Sequence, residues 1–224
     1  MKKLVLILLF VSTIVVAQQP VSTNLGDFNT LKVYNGLTVE IKKGTESKIE
    51  ITGPRADDIS IKNSDGILKV RLKFPDNFEM DGTTIVLYYS KNIEVLDANE
   101  GAKIVSENKL KQPLLDVKVQ EGAIIKLDID VKHLTIKTVS GGIIDLKGIA
   151  ENQNIEANTG GIYNGFDVES KQAIVNSLAG SVVEIDVSEV LDAKAQFGGS
   201  IFYKGKPSIV KSKSVVKGVI KSVN

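Results

Sequence analysis

The sequence has 224 residues, a formal net charge of +1 and no cysteine. Disulfide bonds and a lipid anchor on cysteine are therefore excluded, so stability must come from burial of a core. The positive charge is almost entirely lysine, because Arg55 and Arg71 are the only arginines. The small net charge and the lack of an arginine cluster argue against a nucleic-acid partner.

The first 17 residues have the pattern of a secretory signal peptide. Lys2 and Lys3 precede an apolar run of 13 residues, Leu4 to Val16, and Ala17 offers a small residue before Gln18. The run is short for a membrane span, which needs about 20 apolar residues. We therefore expect residues 1–17 to be removed and the mature protein to be exported. Its compartment would be periplasmic, cell-surface or extracellular, without a membrane span.

Residues 18–81 are less regular than the remainder of the chain. Residues 18–27 are polar and predict a flexible arm. Between residues 28 and 81, short alternating apolar runs are separated by turn dipeptides such as Asn35-Gly36 and Asp65-Gly66. We expect short strands that begin the fold and cap it, with residues 75–82 as a loop.

A repeat of about 20 residues occupies the chain from residue 82 to residue 224. Its anchor positions recur at intervals of 18 to 21 residues, and a small residue follows each of them. The anchors are Gly82, Gly101, Gly122, Gly141, Gly160, Gly180, Gly198 and Lys217. An apolar or aromatic residue stands three positions after each anchor: Ile85, Ile104, Ile125, Ile144, Tyr163, Val183, Ile201 and Ile220.

These columns predict a parallel β-solenoid. Residues 125–131 alternate apolar and polar, as in a strand with one buried face. A unit of this length is too short for strand–helix–strand crossovers. We expect an all-β, β-helix-like single domain over residues 28–224, with coils of about 19–20 residues over 82–224. The small residues would mark corners where larger side chains meet their copies in adjacent coils, and the apolar column would fill the core.

Two segments resemble a bacterial exported family, the auto-transporter adhesin head, or GIN, domain. They are FNTLKVYNGLTVEIKKG at residues 28–44 and FGGSIFYKGKPSIVKSKSVVKGVIKSV at residues 197–223. The resemblance covers roughly residues 28–223. It implies an all-β, solenoid-like domain of unknown function, common in Bacteroidetes, and it carries over no functional residues.

Catalytic, cofactor-binding and metal-binding sites are not expected. The single histidine, His133, lies at a predicted corner, where a solvent-facing side chain is expected. Asp128 and Asp130 are predicted to point outward and could serve a carbohydrate-active enzyme. Glu107 and Asp186 share the column of Asp128, but so do Lys147, Phe166 and Lys204, which indicates a mixed solvated face. Coils of such uniform length also leave no room for long catalytic loops.

One predicted surface feature suggests an interface. Two residues after four successive anchors are apolar side chains expected to point outward: Ile124, Ile143, Ile162 and Val182. Stacked coils would align them as an apolar stripe, which could contact a partner or a second copy. A twist of the strand at the corner, or a segment covering the stripe, would bury them instead.

The sequence thus favours an exported, non-enzymatic binding or scaffold module of the bacterial envelope, adhesin-like in character. Its partner would be a protein or glycan of the envelope or cell surface, and self-association is one use of the stripe. A carbohydrate-active enzyme that uses outward carboxylates is the first alternative. A purely structural envelope component is the second.

Overall fold

The computed structural model describes residues 21–74 and 82–223. This part of the chain forms 19 β-strands and one short 3-10 helix, Ala56–Asp58. The first nine strands are β1 (Val21–Asn24), β2 (Thr30–Val33), β3 (Thr38–Lys43), β4 (Lys48–Thr52), β5 (Ile59–Ser64), β6 (Ile67–Leu72), β7 (Thr84–Tyr89), β8 (Val95–Ala98) and β9 (Lys103–Val105). The others are β10 (Leu110–Val119), β11 (Ile124–Thr138), β12 (Ile143–Ala157), β13 (Ile162–Glu169), β14 (Gln172–Leu178), β15 (Val182–Asp186), β16 (Val190–Gln196), β17 (Ser200–Lys204), β18 (Ile209–Val215) and β19 (Val219–Ser222). The predicted signal peptide and all but the last residue of the predicted loop at 75–82 lie outside the described residues.

From β8 onward the chain forms a parallel β-solenoid, which confirms the predicted fold class. Each coil has a first face, whose strand leads into a tight turn, and a second face, whose strand leaves it. A wider bend then returns the chain to the first face, and β11 and β12 run through this bend without a break. Successive coils pair in parallel and in register, so that Ile125 lies beside Ile144 and Ile144 beside Tyr163. The core lies between the two faces.

The tight turns explain the repeated glycines. At residues 139–142, Ser140 and Gly141 both have positive φ, 50° and 73°, and the amide of Gly142 donates to the carbonyl of Val139 at 3.0 Å. This is a type I′ turn, in which glycine is favoured at the second central position. Gly142 is needed for another reason, since a Cβ there would lie 2.7 Å from Val119 Cγ2. The clash is therefore with the end of the previous coil's strand, and not with an equivalent small residue as the repeat suggested.

The order of the coils differs from the expected order at one place. The repeat predicts that the coil of Gly82 stacks directly on the coil of Gly101. In the structure the unit β2–β3 lies between them: β3 pairs in parallel with both β7 and β9, and β2 with both β6 and β8. The turn at Asn35-Gly36 has the same left-handed conformation as the later turns, and the Gly36 amide donates to the Glu100 carbonyl at 2.8 Å. The unit therefore fits the stack although it comes from the irregular part of the chain.

Antiparallel strands close the amino-terminal end, as expected of a cap. On the second face β4 pairs with β7 and β1 pairs with β4, and on the first face β5 pairs with β6. Part of the predicted flexible arm, residues 18–27, is thus ordered: β1 occupies the free edge of β4, because that edge offers unpaired backbone donors and acceptors.

The predicted core column is buried except at its last member. Ile85, Ile104, Ile125, Ile144, Val183 and Ile201 are all buried. Ile220 was expected to be buried too, but it is partly exposed. It belongs to the last described coil, formed by β18 and β19, and no further coil in the described part of the chain covers it.

Candidate binding surfaces

The four residues of the predicted stripe form one row on the second face. Ile124 lies beside Ile143, Ile143 beside Ile162 and Ile162 beside Val182. All four side chains are partly exposed, so they are neither core residues nor fully solvated. Lys103 precedes the row and Ser200 follows it. The stripe is therefore a short apolar ladder with polar residues at both ends.

Several outward carboxylates of the second face are paired with lysines. Asp130 Oδ2 is 2.8 Å from Lys111 Nζ, and Asp128 Oδ1 is 3.3 Å from Lys109 Nζ. Asp186, in the column of Asp128, is 3.5 Å from Lys204. Lys147 lies directly beside Asp128 in the ladder. This alternation of charges is that of a solvated sheet surface, and it brings no second carboxylate to face Asp128 across a cleft.

A surface that the repeat did not indicate lies at the wider bend. We call it the bend surface and define it by the outward residues of successive coils on either side of that bend. On the first-face side these residues are His133, Thr135, Asn152, Asn154, Gln172 and Ile174. On the second-face side they are Asp130, Lys132, Ile149 and Glu151. His133 is exposed here, as predicted for a corner.

The strand register explains why these side chains meet. His133 lies beside Asn152 and Asn152 beside Gln172 in one column; Thr135, Asn154 and Ile174 form the next outward column. Coils stack at about 4.8 Å, so each column presents a side chain at that interval. Two depressions result, one on each side of the bend, of about 380 and 470 Å³.

The bend surface combines side-chain amides with exposed apolar groups. Asn154 and Gln172 are exposed and make no side-chain hydrogen bond within the described residues, and Asn152 donates one long bond, 3.4 Å, to the Lys132 carbonyl. Ile174 is 55% exposed and Ile149 is 44% exposed. Amides supply both donors and acceptors without charge, and apolar groups supply contact area. The amides of the bend surface suit a ligand that carries many hydroxyl groups, beside the charged side chains Asp130, Lys132 and Glu151.

A buried polar pair lies directly under the bend surface. Gln153 points inward between Asn152 and Asn154, and the hydroxyl of Tyr163 donates to its Oε1 at 2.7 Å. Burial raises the pKa of Tyr163 well above its usual range, because the ionised phenol would lose its hydration. The Nε2 atom of Gln153 is buried and has no hydrogen-bond partner in the described part of the chain. Because only one of its two ends is bonded, this amide fixes the position of β12 at some cost in stability.

Sequence reasoning missed the bend surface because its columns have no repeated residue type. Apolar residues occupy odd positions from Ile125 to Val131 and even positions at Leu134 and Ile136. This change in the alternation was the signal in the sequence for a bend. Residues 21–74 and 82–223 contain no cluster of three histidine, cysteine or carboxylate side chains placed to hold a metal ion. The same residues contain no helix with the length and apolar character of a membrane span.

The fold is similar to several solved structures from Bacteroidetes. A protein of Bacteroides fragilis, described as a "putative adhesin", superposes with a TM-score of 0.78 at 18% identity over 91% of this chain and 96% of its own. A "putative lipid binding protein" of Parabacteroides distasonis gives 0.66 at 18% identity over 92% and 98%. A "putative adhesin" of Parabacteroides merdae gives 0.65 at 19% identity over 92% and 96%. At these identities the likeness shows the fold alone.

Comparison with curated proteins found no match. A family model matches residues 27–207, which includes the opening segment of the resemblance but ends before β18. The closing segment at 197–223 is thus matched only in its first part. The chain belongs to the family described as "Putative auto-transporter adhesin, head GIN domain".

Proposed function

We propose that this protein is an exported, non-enzymatic binding module of the bacterial envelope, and that it binds its ligand on the bend surface. The observation that carries the proposal is the set of outward amides, two of them without a side-chain hydrogen bond in the described residues, and exposed isoleucines over two depressions on a regular scaffold. The family name and the neighbours described as adhesins agree with a binding role. Export is supported by the amino-terminal pattern of charge, apolar run and small residues.

The chemistry of the bend surface favours a glycan as the ligand. Hydroxyl groups of a sugar both donate and accept, and the amide side chains of Asn152, Asn154 and Gln172 can do the same. Ile174 and Ile149 can pack on the apolar faces of sugar rings. Equal spacing of the coils would let successive residues of a polysaccharide meet successive coils.

An array of purified bacterial and host polysaccharides, probed with fluorescently labelled protein, tests the proposal. We expect binding to at least one neutral polysaccharide. The triple variant Asn152→Ala, Asn154→Ala, Gln172→Ala should bind it roughly 10- to 2,000-fold more weakly, because each lost hydrogen bond contributes about 0.5–1.5 kcal/mol.

The matched control removes three amides elsewhere on the surface: Asn108→Ala, Asn164→Ala and Asn176→Ala. These residues lie outside the bend surface and make no side-chain hydrogen bond within the described part of the chain. We expect the control to bind like the wild type. Equal weakening in both triple variants, or no binding to any polysaccharide, would contradict the assignment of a glycan to this surface.

The enzyme alternative has a separate test. If Asp128 and Asp130 acted as a catalytic pair, pure protein would shorten a polysaccharide and Asp128→Asn would abolish that activity. We expect no shortening of the polysaccharide by the wild type. Both carboxylates are paired with lysines, and they lie on one strand, where they do not face each other across a substrate. Chromatographic analysis of chain length after long incubation decides between the two functions.

A further inference from the structure

The last coil carries an unusual concentration of positive charge. Beyond Asp192 the sequence contains no acidic residue and seven lysines: Lys194, Lys204, Lys206, Lys211, Lys213, Lys217 and Lys221. Because position along the sequence becomes position along the solenoid here, these lysines gather at the carboxyl-terminal end. Lys204 is paired with Asp186, whereas Lys211, Lys213 and Lys221 are exposed and have no ion pair within residues 21–74 and 82–223.

Exposed apolar side chains accompany these lysines. Within β18, β19 and their flanking residues, five large apolar side chains are between 41% and 59% exposed: Ile209, Val210, Val216, Val219 and Val223. Val210 follows the inward column of Leu191 and is 44% exposed, because no later coil within the described residues covers it. This coil therefore exposes both apolar side chains and lysines: Ile209 continues an outward column of the first face, and Val219 continues the outward row of the second face.

Two alternative roles for the lysines are protection of an edge strand and contact with a second copy of the chain. Lysines on an edge strand can simply prevent pairing with another chain. That role does not explain the exposed isoleucine and valines, which would favour such contacts. A second copy joined end to end would bring two sets of lysines together, and like charges repel. A second copy joined head to tail would bring the lysines to the cap of β1, β4 and β5, where residues 21–29 and 44–66 carry six acidic and three basic side chains. That arrangement is the rival outcome of the light-scattering test below.

We propose that this end, formed by β18, β19 and the turn between them, docks on the surface of a bilayer that contains anionic phospholipid. Lysines near such a surface are attracted to the headgroups, and branched apolar side chains enter the boundary with the acyl chains. A soluble polyanion would satisfy the lysines but would leave the apolar groups in water. The bilayer is favoured because it accounts for both classes of side chain. The bend surface lies along the side of the solenoid and adjoins this end, because Lys211 also lines its first-face depression.

Co-sedimentation of the purified protein with vesicles tests the proposal. The two vesicle types are phosphatidylcholine alone and phosphatidylcholine mixed with phosphatidylglycerol. We expect binding to the mixed vesicles, weakened by salt, and little binding to phosphatidylcholine alone. The variant Lys211→Gln, Lys213→Gln, Lys221→Gln should bind about 100-fold more weakly, since each lysine contributes about 5-fold.

A matched control removes the same charge elsewhere. Lys62, Lys103 and Lys137 are exposed and have no ion pair within the described residues, so Lys62→Gln, Lys103→Gln, Lys137→Gln lowers the net charge equally. We expect this control to retain most of the binding. An equal loss in both triple variants would show that only net charge matters and would overturn the proposal.

The apolar contribution has its own variant, Ile209→Ser with Val219→Ser. Both side chains are exposed, 51% and 44%, so circular dichroism should show an intact fold. We expect roughly 10-fold weaker binding to mixed vesicles. Unchanged binding to mixed vesicles would show that the lysines alone account for the affinity, as they would on a soluble polyanion, and that these apolar side chains do not enter the bilayer. Self-association that persists in Ile143→Lys with Ile162→Lys, is lost in the triple lysine variant and occurs without vesicle binding would assign the end to a second copy; either result rejects the bilayer.

Discussion

At the scale of single residues, the two consecutive small positions of each tight turn meet different physical requirements. Gly141 has a φ of 73° and open space where a Cβ would be, so it is favoured by backbone conformation alone. Gly142 has no such backbone requirement, but a Cβ there would collide with Val119. Ala102 and Ala123 occupy the equivalent place in earlier coils and are fully buried. The amount of space left by the preceding strand therefore decides which residue fits.

Gly161 allows a test of steric exclusion without backbone strain. A Cβ at this position would lie 2.6 Å from the carbonyl oxygen of Thr138. We expect Gly161→Ala to lower the free energy of unfolding by about 1–3 kcal/mol, because the backbone of one coil must move. The exposed control Lys126→Val should change it by about 0.5 kcal/mol or less. Urea denaturation followed by circular dichroism measures both, and equal midpoints would contradict the assigned collision.

The buried pair of Tyr163 and Gln153 gives a second prediction. Tyr163→Phe leaves both ends of the Gln153 amide without a partner, so we expect a loss of about 1–3 kcal/mol in the free energy of unfolding. The double variant Tyr163→Phe, Gln153→Leu removes the unsatisfied amide and should recover much of that loss. The four proteins of this double-mutant cycle are compared by urea denaturation. Additive losses would show that the two side chains do not interact.

The raised pKa of Tyr163 predicts a dependence of stability on pH. In the unfolded chain a tyrosine ionises near pH 10, whereas burial keeps the folded one protonated to higher pH. Its contribution to stability is therefore fully present below about pH 10 and is lost as the pH rises further, by about 1.4 kcal/mol per pH unit. Lysines also titrate in this range, so the measurement is the difference between wild type and Tyr163→Phe. A difference in the free energy of unfolding that stays constant between about pH 8 and pH 11, the range that spans the ordinary pKa of tyrosine, would contradict this prediction.

At the scale of strands, each side chain of the apolar stripe has two contact surfaces. One packs against its neighbours along the ladder, and the other faces outward, where a partner would bind. Each of the four side chains is covered on its sides by its neighbours in register and is open outward. Burying a whole side chain of this size stabilises by roughly 1.5–3 kcal/mol. Burying the outer surfaces of several of them therefore contributes a few kcal/mol. That is enough to support a weak association once the cost of joining two molecules is subtracted.

We therefore expect the wild type to self-associate and Ile143→Lys with Ile162→Lys to be monomeric and folded. Multi-angle light scattering measures the mass, and circular dichroism checks the fold. The control is Ile149→Lys with Ile174→Lys, which places the same charges on the bend surface and should leave the association intact. A monomeric wild type would show that the stripe does not mediate self-assembly. Unfolding of the stripe variant would show that the ladder is needed as core.

The strands also show which features a sequence can reveal. The regular turns could be predicted because all but the last, which has Lys217, place a glycine at the left-handed anchor position and a small residue after it, and both leave a column of residue types. The bend surface could not, because an outward position at the wider bend accepts His133, Asn152, Gln172 or Val190 equally well. The bend surface forms because the folded coils place these unlike residues side by side. The burial of Ile220 was wrongly expected since a column does not say whether another coil will cover its last member.

At the scale of the whole molecule, the two ends are built differently. Antiparallel strands β1, β4 and β5 close the amino-terminal end, whereas β18 and β19 are paired on one side only within the described residues. In a stack of this kind stability is shared between nearest neighbours, so a coil with one neighbour is held less firmly than a coil with two.

Hydrogen exchange should reveal this difference as a gradient. We expect the amides of β12 and β13 to exchange at least about 10-fold more slowly than those of β18 and β19. The amides of β4, which has strands on both sides, should resemble the centre. Mass spectrometry of peptides after timed exchange measures all three regions. Uniform protection along the chain would mean that the solenoid opens only as a single unit.

The position of β2–β3 between β6–β7 and β8–β9 has a consequence for the order in which the chain assembles. This unit leaves the ribosome before its two neighbours, yet it ends with a parallel strand on each side. Both its edges must stay unpaired until residues 67–105 have been made, and closing these contacts spans tens of residues. Propagation can then proceed in two directions, a short one toward the antiparallel cap and a long one through the regular coils. A segment that is made early thus lies in the interior of the stack, and the solenoid cannot be assembled simply in chain order from the amino terminus.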